Sequence, residues 1–134
     1  MICGIGVDTV EIARFERQLA RTPKLRQRLF APEERELPVR SLAGRFAAKE
    51  ALIKALGGSD GVGWHDLALA RGVDRAPSFA RTPRLEGALA ARGADRLHVT
   101  ITHDGGLATA FVIVEASGNS EDHVNGRGEG EVGA

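Results

Sequence analysis

The sequence predicts one small domain that mixes helix with strand, and three observations carry that expectation. A long alanine- and leucine-rich helical pattern runs from Leu42 to Leu56 and stops at Gly57-Gly58. Two alternating segments, Leu97 to Thr102 and Leu107 to Glu115, flank the turn sequence His103-Asp104-Gly105-Gly106 and so read as a hairpin. With 134 residues, 43% of them hydrophobic and 27% charged, the chain has room for a real but small core and none for a second full domain.

Taken in order, Ile2 to Val7 alternates apolar side chains with Gly4 and Gly6, the pattern of a strand that closely approaches another backbone or a ligand. Asp8 ends that strand, and Val10, Ile12, Ala13, Phe15 and Leu19 then recur at helical spacing from Thr9 to about Ala20. Asp8 and Glu11 have the spacing of a capping box at the helix start. Pro23, Pro32 and Pro38 punctuate the next stretch, with a short helix expected from Glu33 to Leu37 and an N-cap at Ser41 for the long helix. A strand is expected around His65 to Ala70, a short one near Phe79, and a helix from Arg84 to Arg92 that ends at Gly93. The sequence from Ser117 onward is Gly, Ser, Asn and Glu with almost no apolar residue, which cannot repay chain entropy. The expectation is a folded domain over residues 1–116 and a disordered tail over 117–134.

Net charge is zero, but its distribution is uneven. Arg14, Arg17, Arg21, Lys24, Arg26 and Arg28 face a single nearby acid, Glu16, a surface suited to an acidic partner and equally to a solvated helix face. The apolar runs are too short for a bilayer and no basic leader precedes a long apolar stretch, so a cytoplasmic protein is expected. Cys3, the one cysteine, has no internal partner for a disulfide. Four histidines without ligand spacing argue against zinc, and neither a P-loop nor a dinucleotide fingerprint is present.

Chemistry concentrates on the long helix. At about 100° per residue, Phe46, Ile53 and Leu56 share one face, Lys49 falls among them, and Arg45 and Glu50 border the stripe. Charges avoid such positions unless they are paired, metal-bound or functional. By spacing alone, Glu50 and Lys54 read as an intrahelical ion pair rather than a site, and Asp8 as a helix cap rather than a ligand. Two carboxylates from a strand end and a helix would nevertheless suit Mg²⁺, which keeps its other positions for water and phosphate oxygens. His103 shares the side of Leu97, Val99 and Ile101 and is either a satisfied core histidine or a phosphate donor.

Three ordered motifs go further. Gly4-Ile5-Gly6-Val7-Asp8 with Arg14, then Arg45-Phe46-Ala47-Ala48-Lys49-Glu50-Ala51 with Lys54-Ala55-Leu56-Gly57, then Val99-Thr100-Ile101-Thr102-His103-Asp104 with Ala108 and Ala110, resemble the bacterial holo-acyl-carrier-protein synthases of the phosphopantetheinyl transferase superfamily. The resemblance spans about residues 1–116. It implies an α+β fold with an antiparallel sheet packed against the long helix, a single-half transferase fold assembling as a homotrimer with active sites between subunits. It implies transfer of the 4′-phosphopantetheine group of coenzyme A to a serine of an acyl carrier protein, in the service of fatty acid and lipid metabolism.

In that reading Asp8 and Glu50 are the Mg²⁺ ligands, Glu50 and Lys54 act in catalysis, and Arg45, Lys49, Lys54 and His103 contact coenzyme A. Arg14, Arg17 and Arg21 dock the acidic carrier, whether a free protein or a domain of a larger synthase; neither nucleic acid nor a membrane is an expected partner. The base that removes the serine proton is left open between Glu50 and a metal-bound water relayed through a nearby acid. The chain departs from the family pattern at Arg75-Ala76-Pro77, where a Gly-Lys-Pro or Gly-Arg-Pro is usual, and at Phe46, which replaces a frequent tryptophan. Two other functions fit the residues without the resemblance: a Mg²⁺-dependent hydrolase of a nucleotide pyrophosphate, and a non-catalytic module that binds acidic proteins.

Overall fold

Gly105 and Gly106, at φ 55° and 76°, make the tight turn that folds β4 (Arg96–Asp104) back onto β5 (Leu107–Glu115). The computed structural model describes residues 1–118. On its other side β5 pairs antiparallel with β1 (Ile2–Glu11), giving a three-stranded sheet in the order β1-β5-β4. Ala108, Ala110, Val112 and Val114 turn one face of β5 inward and are fully buried. The long helix α3 (Val39–Leu56) lies across that face.

Small residues set how closely α3 can lie. Gly4 and Gly6 face it, and a Cβ on either would stand 1.9 Å from the Ala55 carbonyl oxygen or 1.8 Å from that of Ala51. Two residues of strand span about 6.6 Å and four residues of helix about 6.0 Å. The two glycines therefore meet successive turns of α3 in register, and the expected close approach is to helix backbone. Gly57, at φ 81°, ends the helix in the left-handed conformation while the Gly58 N–H donates to the Ile53 carbonyl at 3.0 Å.

The remaining elements close the core from the sides. They are α1 (Ile12–Arg21), α2 (Lys24–Leu29), a 3₁₀ turn (Trp64–Leu67), the two-stranded hairpin β2 (Leu69–Arg71) and β3 (Pro77–Phe79), and α4 (Pro83–Ala91). Thr82 caps α4 by accepting the Leu85 N–H at 3.2 Å, with Pro83 in the first turn. Among the described residues no helix is long and apolar enough to cross a membrane.

Several boundaries differ from expectation, each for a local reason. β1 does not end at Asp8; Thr9 and Val10 are β-branched and pair with Thr109 and Ala108, so the strand runs on to Glu11. The Asp8–Glu11 capping box is consequently absent: Glu11 stands at the N-cap of α1 without a side-chain cap, and the Ile12 N–H donates to the Gly106 carbonyl at 2.9 Å. Residues 32–36 form successive turns rather than a helix, whereas the helix α2 between Pro23 and Phe30 was not expected. Pro38, not Ser41, precedes α3. His65 lies in the 3₁₀ turn, and His103 and Asp104 continue β4 up to the two glycines. The expected disordered tail lies outside the described residues except for Ser117 and Gly118; there the Ser117 N–H donates to Asp95 Oδ1 at 2.7 Å.

Gly6→Ala forces β1 away from α3 because the obstacle is backbone. A loss of about 1–3 kcal/mol is expected, checked by urea unfolding at unchanged m-value.

Candidate active site

Along β1 the residues Gly4, Gly6, Asp8 and Val10 share the face toward α3, so the strand that begins with a glycine contact goes on to present a carboxylate to the helix. Asp8, with a side chain 20% exposed, meets Lys54 there: Lys54 Nζ donates to Asp8 Oδ1 at 3.1 Å and to the Val7 carbonyl at 3.0 Å. The intrahelical Glu50–Lys54 pair is thus replaced by a strand-to-helix pair. Glu50, one turn back on α3, lines the same groove of about 480 Å³ with Asp8, Arg14, Phe15, Gln18 and Phe46. Burial raises its pKa above the ordinary 4.5; the negative charge of Asp8 adds to the rise and Lys54 opposes it.

Two carboxylates lining one groove make a donor set of hard oxygens whose like charge a divalent cation relieves. Among the described residues no group of three or more His, Cys, Asp or Glu side chains is placed to hold a metal. The pair therefore fits Mg²⁺ in its usual protein setting, where one or two carboxylates leave room for water and substrate phosphate.

A second cavity, of about 280 Å³, shares no lining residue with the first. Ser41, Gly44 and Arg45 of α3, Ile101 and His103 of β4, and Arg71, Arg75 and Pro77 around the β2–β3 hairpin line it. Arg45 Nη1 donates to the Leu69 carbonyl and reaches Glu34 Oε2 at 3.4 Å. His103 packs over Gly44, and its Nε2–H donates to the Arg40 carbonyl at 3.0 Å, which leaves Nδ1 for a ligand. The structure therefore brings Asp8, Glu50 and Lys54 together in one place and Arg45 and His103 in another.

Lys49 belongs to neither. Its ammonium donates to the Leu29 carbonyl and Glu34 Oε1, both at 2.7 Å, and to the Trp64 carbonyl at 3.3 Å, which uses all three donors with the side chain fully buried. Burial lowers its pKa, and the hydrogen bond and charge of Glu34 work against that. The expected phosphate contact from Lys49 gives way to a structural one. Glu34, fully buried and also accepting the Ala31 and Leu69 N–H groups, is the residue sequence reasoning missed. The signal was available: a lysine inside a buried helix stripe requires an acid, and Glu33, Glu34 and Glu36 stand together between Pro32 and Pro38.

Of the three arginines expected to dock a partner, Arg14 borders the carboxylate groove. Arg21 borders an adjoining groove of about 430 Å³, with Arg28 and the aromatic floor Phe15, Phe46 and Trp64. Phe15 and Phe46 stack at 5.2 Å between ring centroids, and both, with Gln18, line the two grooves, which are thereby continuous. Arg17 lines neither and lies 4.0 Å from Glu11.

Comparison with known proteins shows what the chain is similar to. Residues 4–112 match the model of a family described as the 4′-phosphopantetheinyl transferase superfamily. A holo-acyl-carrier-protein synthase of Leifsonia xyli subsp. xyli is 59% identical over 115 residues, 86% of this chain and 98% of the relative. The crystal structure of the synthase from Neisseria meningitidis is similar with a TM-score of 0.79 at 31% identity, over 86% of this chain and 99% of that one. The structure of the Helicobacter pylori synthase in complex with coenzyme A gives 0.73 at 32% identity, over 83% and 99%.

Asp8→Asn tests the coupling between the two carboxylates. Because Glu50 binds its proton more tightly in the fold than in the unfolded chain, its contribution is fully present below 4.5 and is lost as pH rises through the higher folded value. Removing the charge of Asp8 brings the folded value down, so the variant should lose less stability than wild type as pH rises above 4.5. Thermal unfolding across pH without divalent cations reads the slope; parallel curves would show that the two groups do not interact.

Proposed function

The chain belongs to the 4′-phosphopantetheinyl transferase superfamily, and on that footing we propose that it moves the 4′-phosphopantetheine group of coenzyme A onto a serine of an apo acyl carrier protein, releasing 3′,5′-ADP. The observation that carries the chemistry is the Asp8 and Glu50 carboxylate pair with Lys54 beside it, in a groove bordered by Arg14.

Asp8 and Glu50 would hold Mg²⁺, which when bound offsets the charge of the coenzyme A pyrophosphate and polarises the phosphorus under attack. Lys54 spends two donors on Asp8 and the Val7 carbonyl and keeps one for a phosphate oxygen, where it steadies the charge that gathers on the leaving 3′,5′-ADP. The carrier serine oxygen bonds to the pantetheine-bearing phosphorus as that phosphorus parts from the bridging oxygen. Glu50 lines the groove that the serine would enter, which suits it to receive the serine proton. Arg45 and His103 serve coenzyme A from the second cavity.

Arg14 and Arg21 along the continuous groove, with the aromatic floor between them, suit a carrier that is acidic outside and apolar where it docks. Arg17, exposed and turned to Glu11, contributes long-range attraction at most.

The two cavities need each other yet lie apart in one chain, and the outer face of the sheet offers the means to join them. Ile5, Val7 and Phe111 are 55%, 46% and 41% exposed, and the register sets Val7 opposite Phe111 and Ile5 opposite Ile113 in one apolar patch. This supports a homotrimer in which one copy's carboxylate groove meets its neighbour's cationic cavity. The folded unit is residues 1–116, working in the cytoplasm to charge carriers for lipid synthesis.

Incubation of the protein with coenzyme A, Mg²⁺ and an apo carrier should add one phosphopantetheine to the carrier, read by intact mass, and Glu50→Gln should lower the rate by at least about 100-fold. Equal release of 3′,5′-ADP without any carrier would instead favour the hydrolase. An unmodified carrier that binds wild type but not Arg14→Ala would favour the docking module.

Phe111→Asp should convert the assembly to monomers by light scattering and abolish transfer while the circular dichroism stays native. A trimer that survives this change would sink the sheet-face interface.

A further inference from the structure

Asp8 and Glu50 line one groove, but the positive charge beside them is unevenly placed. Lys54 Nζ donates to Asp8 Oδ1 at 3.1 Å and to the Val7 carbonyl at 3.0 Å. Among the described residues it is the one cation within ion-pair distance of Asp8, and none lies within that distance of Glu50. The second contact matters as much as the first. Val7 precedes Asp8 on β1, so the ammonium is anchored to strand backbone and leaves for solvent only by giving up two hydrogen bonds.

Counting charges shows what this anchor does. Two carboxylates alone would balance a dication. With Lys54 against Asp8, the three side chains carry one net negative charge, and a dication added to them leaves positive charge in excess. Glu11 and Arg14 line the same groove and Arg17 lies 4.0 Å from Glu11, so these three add a further positive charge. Repulsion between an ammonium and a dication a few ångströms apart weakens binding by about tenfold even where water screens it. A ligand that brings phosphate reverses the balance. A pyrophosphate diester carries one negative charge on each phosphorus, and its oxygens serve both a metal and the donor that Lys54 has left.

We propose that Lys54 gates the metal: its ammonium, held on Asp8, keeps the carboxylate pair from taking up a free divalent cation and makes metal binding depend on a phosphate-bearing ligand. This rests on the reading of Asp8 and Glu50 as the metal ligands. Metal and phosphate then bind with positive coupling, each raising the affinity for the other by the same factor.

Lys54→Met, close in length and without charge, tests the gate with Mn²⁺ as the probe in phosphate-free buffer. Electron paramagnetic resonance of the free ion should show Mn²⁺ binding about tenfold tighter than in wild type. Mn²⁺ should also raise the unfolding midpoint of the variant by more than that of wild type. Lys54→Arg, which keeps the charge, should bind Mn²⁺ as weakly as wild type. Coenzyme A should then raise the Mn²⁺ affinity of wild type by a larger factor than that of Lys54→Met. Equal Mn²⁺ affinity in wild type and Lys54→Met, an equal gain in Lys54→Arg, or equal factors from coenzyme A would each overturn the proposal. Asp8→Asn keeps the two readings apart. If it abolishes the Mn²⁺ binding that wild type shows with coenzyme A, the metal ligands stand and a failed comparison at residue 54 sinks the gate alone. If Mn²⁺ binds none of these proteins with coenzyme A present, the metal ligands and the gate fail together, while the mass of the carrier decides the transfer reaction separately.

Discussion

Contact of backbone with backbone, where β1 crosses α3, is the constraint on which the site depends. Gly4 and Gly6 leave no side chain between strand and helix, and a Cβ at Gly6 would stand 1.8 Å from the Ala51 carbonyl oxygen. That closeness, repeated over two turns, fixes the strand's height and rotation on the helix. Asp8, the next residue on the same face, is then delivered to Lys54 without any flexible linker. Two carboxylates that repel are held together by packing that neither contributes to, an arrangement in which the fold bears the electrostatic cost and a cation can recover it.

A second constraint acts from behind the helix. Glu34 reaches into the core from the turn at residues 32–36 and accepts from Lys49, Arg45 and two backbone N–H groups. Lys49 in turn ties down carbonyls of Leu29 and Trp64 and lies 4.9 Å from the centre of the Phe30 ring. One buried charge cluster thereby anchors the end of α2, the 3₁₀ turn and the middle of α3. Arg45 is shared with this cluster, so its cavity-facing group is braced by the core. Buried pairs of this kind are costly to break on one side only, which makes the cluster rigid more than it makes it stabilising.

How much of the molecule is legible in its sequence depends on the reach of each signal. Periodicity over many residues locates α3 and the β4–β5 hairpin, and glycines at Gly57 and Gly105-Gly106 mark their ends. Shorter signals are ambiguous: Asp8 followed by Thr9-Val10 looks like a cap before a helix, yet β-branched residues with partners on β5 keep the strand going. The six-residue α2 leaves no periodic trace. For the site, Asp8, Glu50, Lys54, Arg45 and His103 can be nominated from motifs, but their division between two cavities cannot, because it depends on which side of α3 each strand packs. Lys49 signals that a buried acid exists, but which glutamate serves it is not legible, because the side-chain partners of Glu34 are 11 and 15 residues away and one of its backbone partners is 35 away.

The β2–β3 hairpin forms a sheet of its own, unconnected by hydrogen-bonded strands to β1-β5-β4. Its turn can therefore accept substitutions and length changes without altering the register that places Asp8. Sequence drift in this turn reshapes one wall of the second cavity while the strand that carries Asp8 is inherited unchanged, so the hairpin is a module on which change can be tried separately.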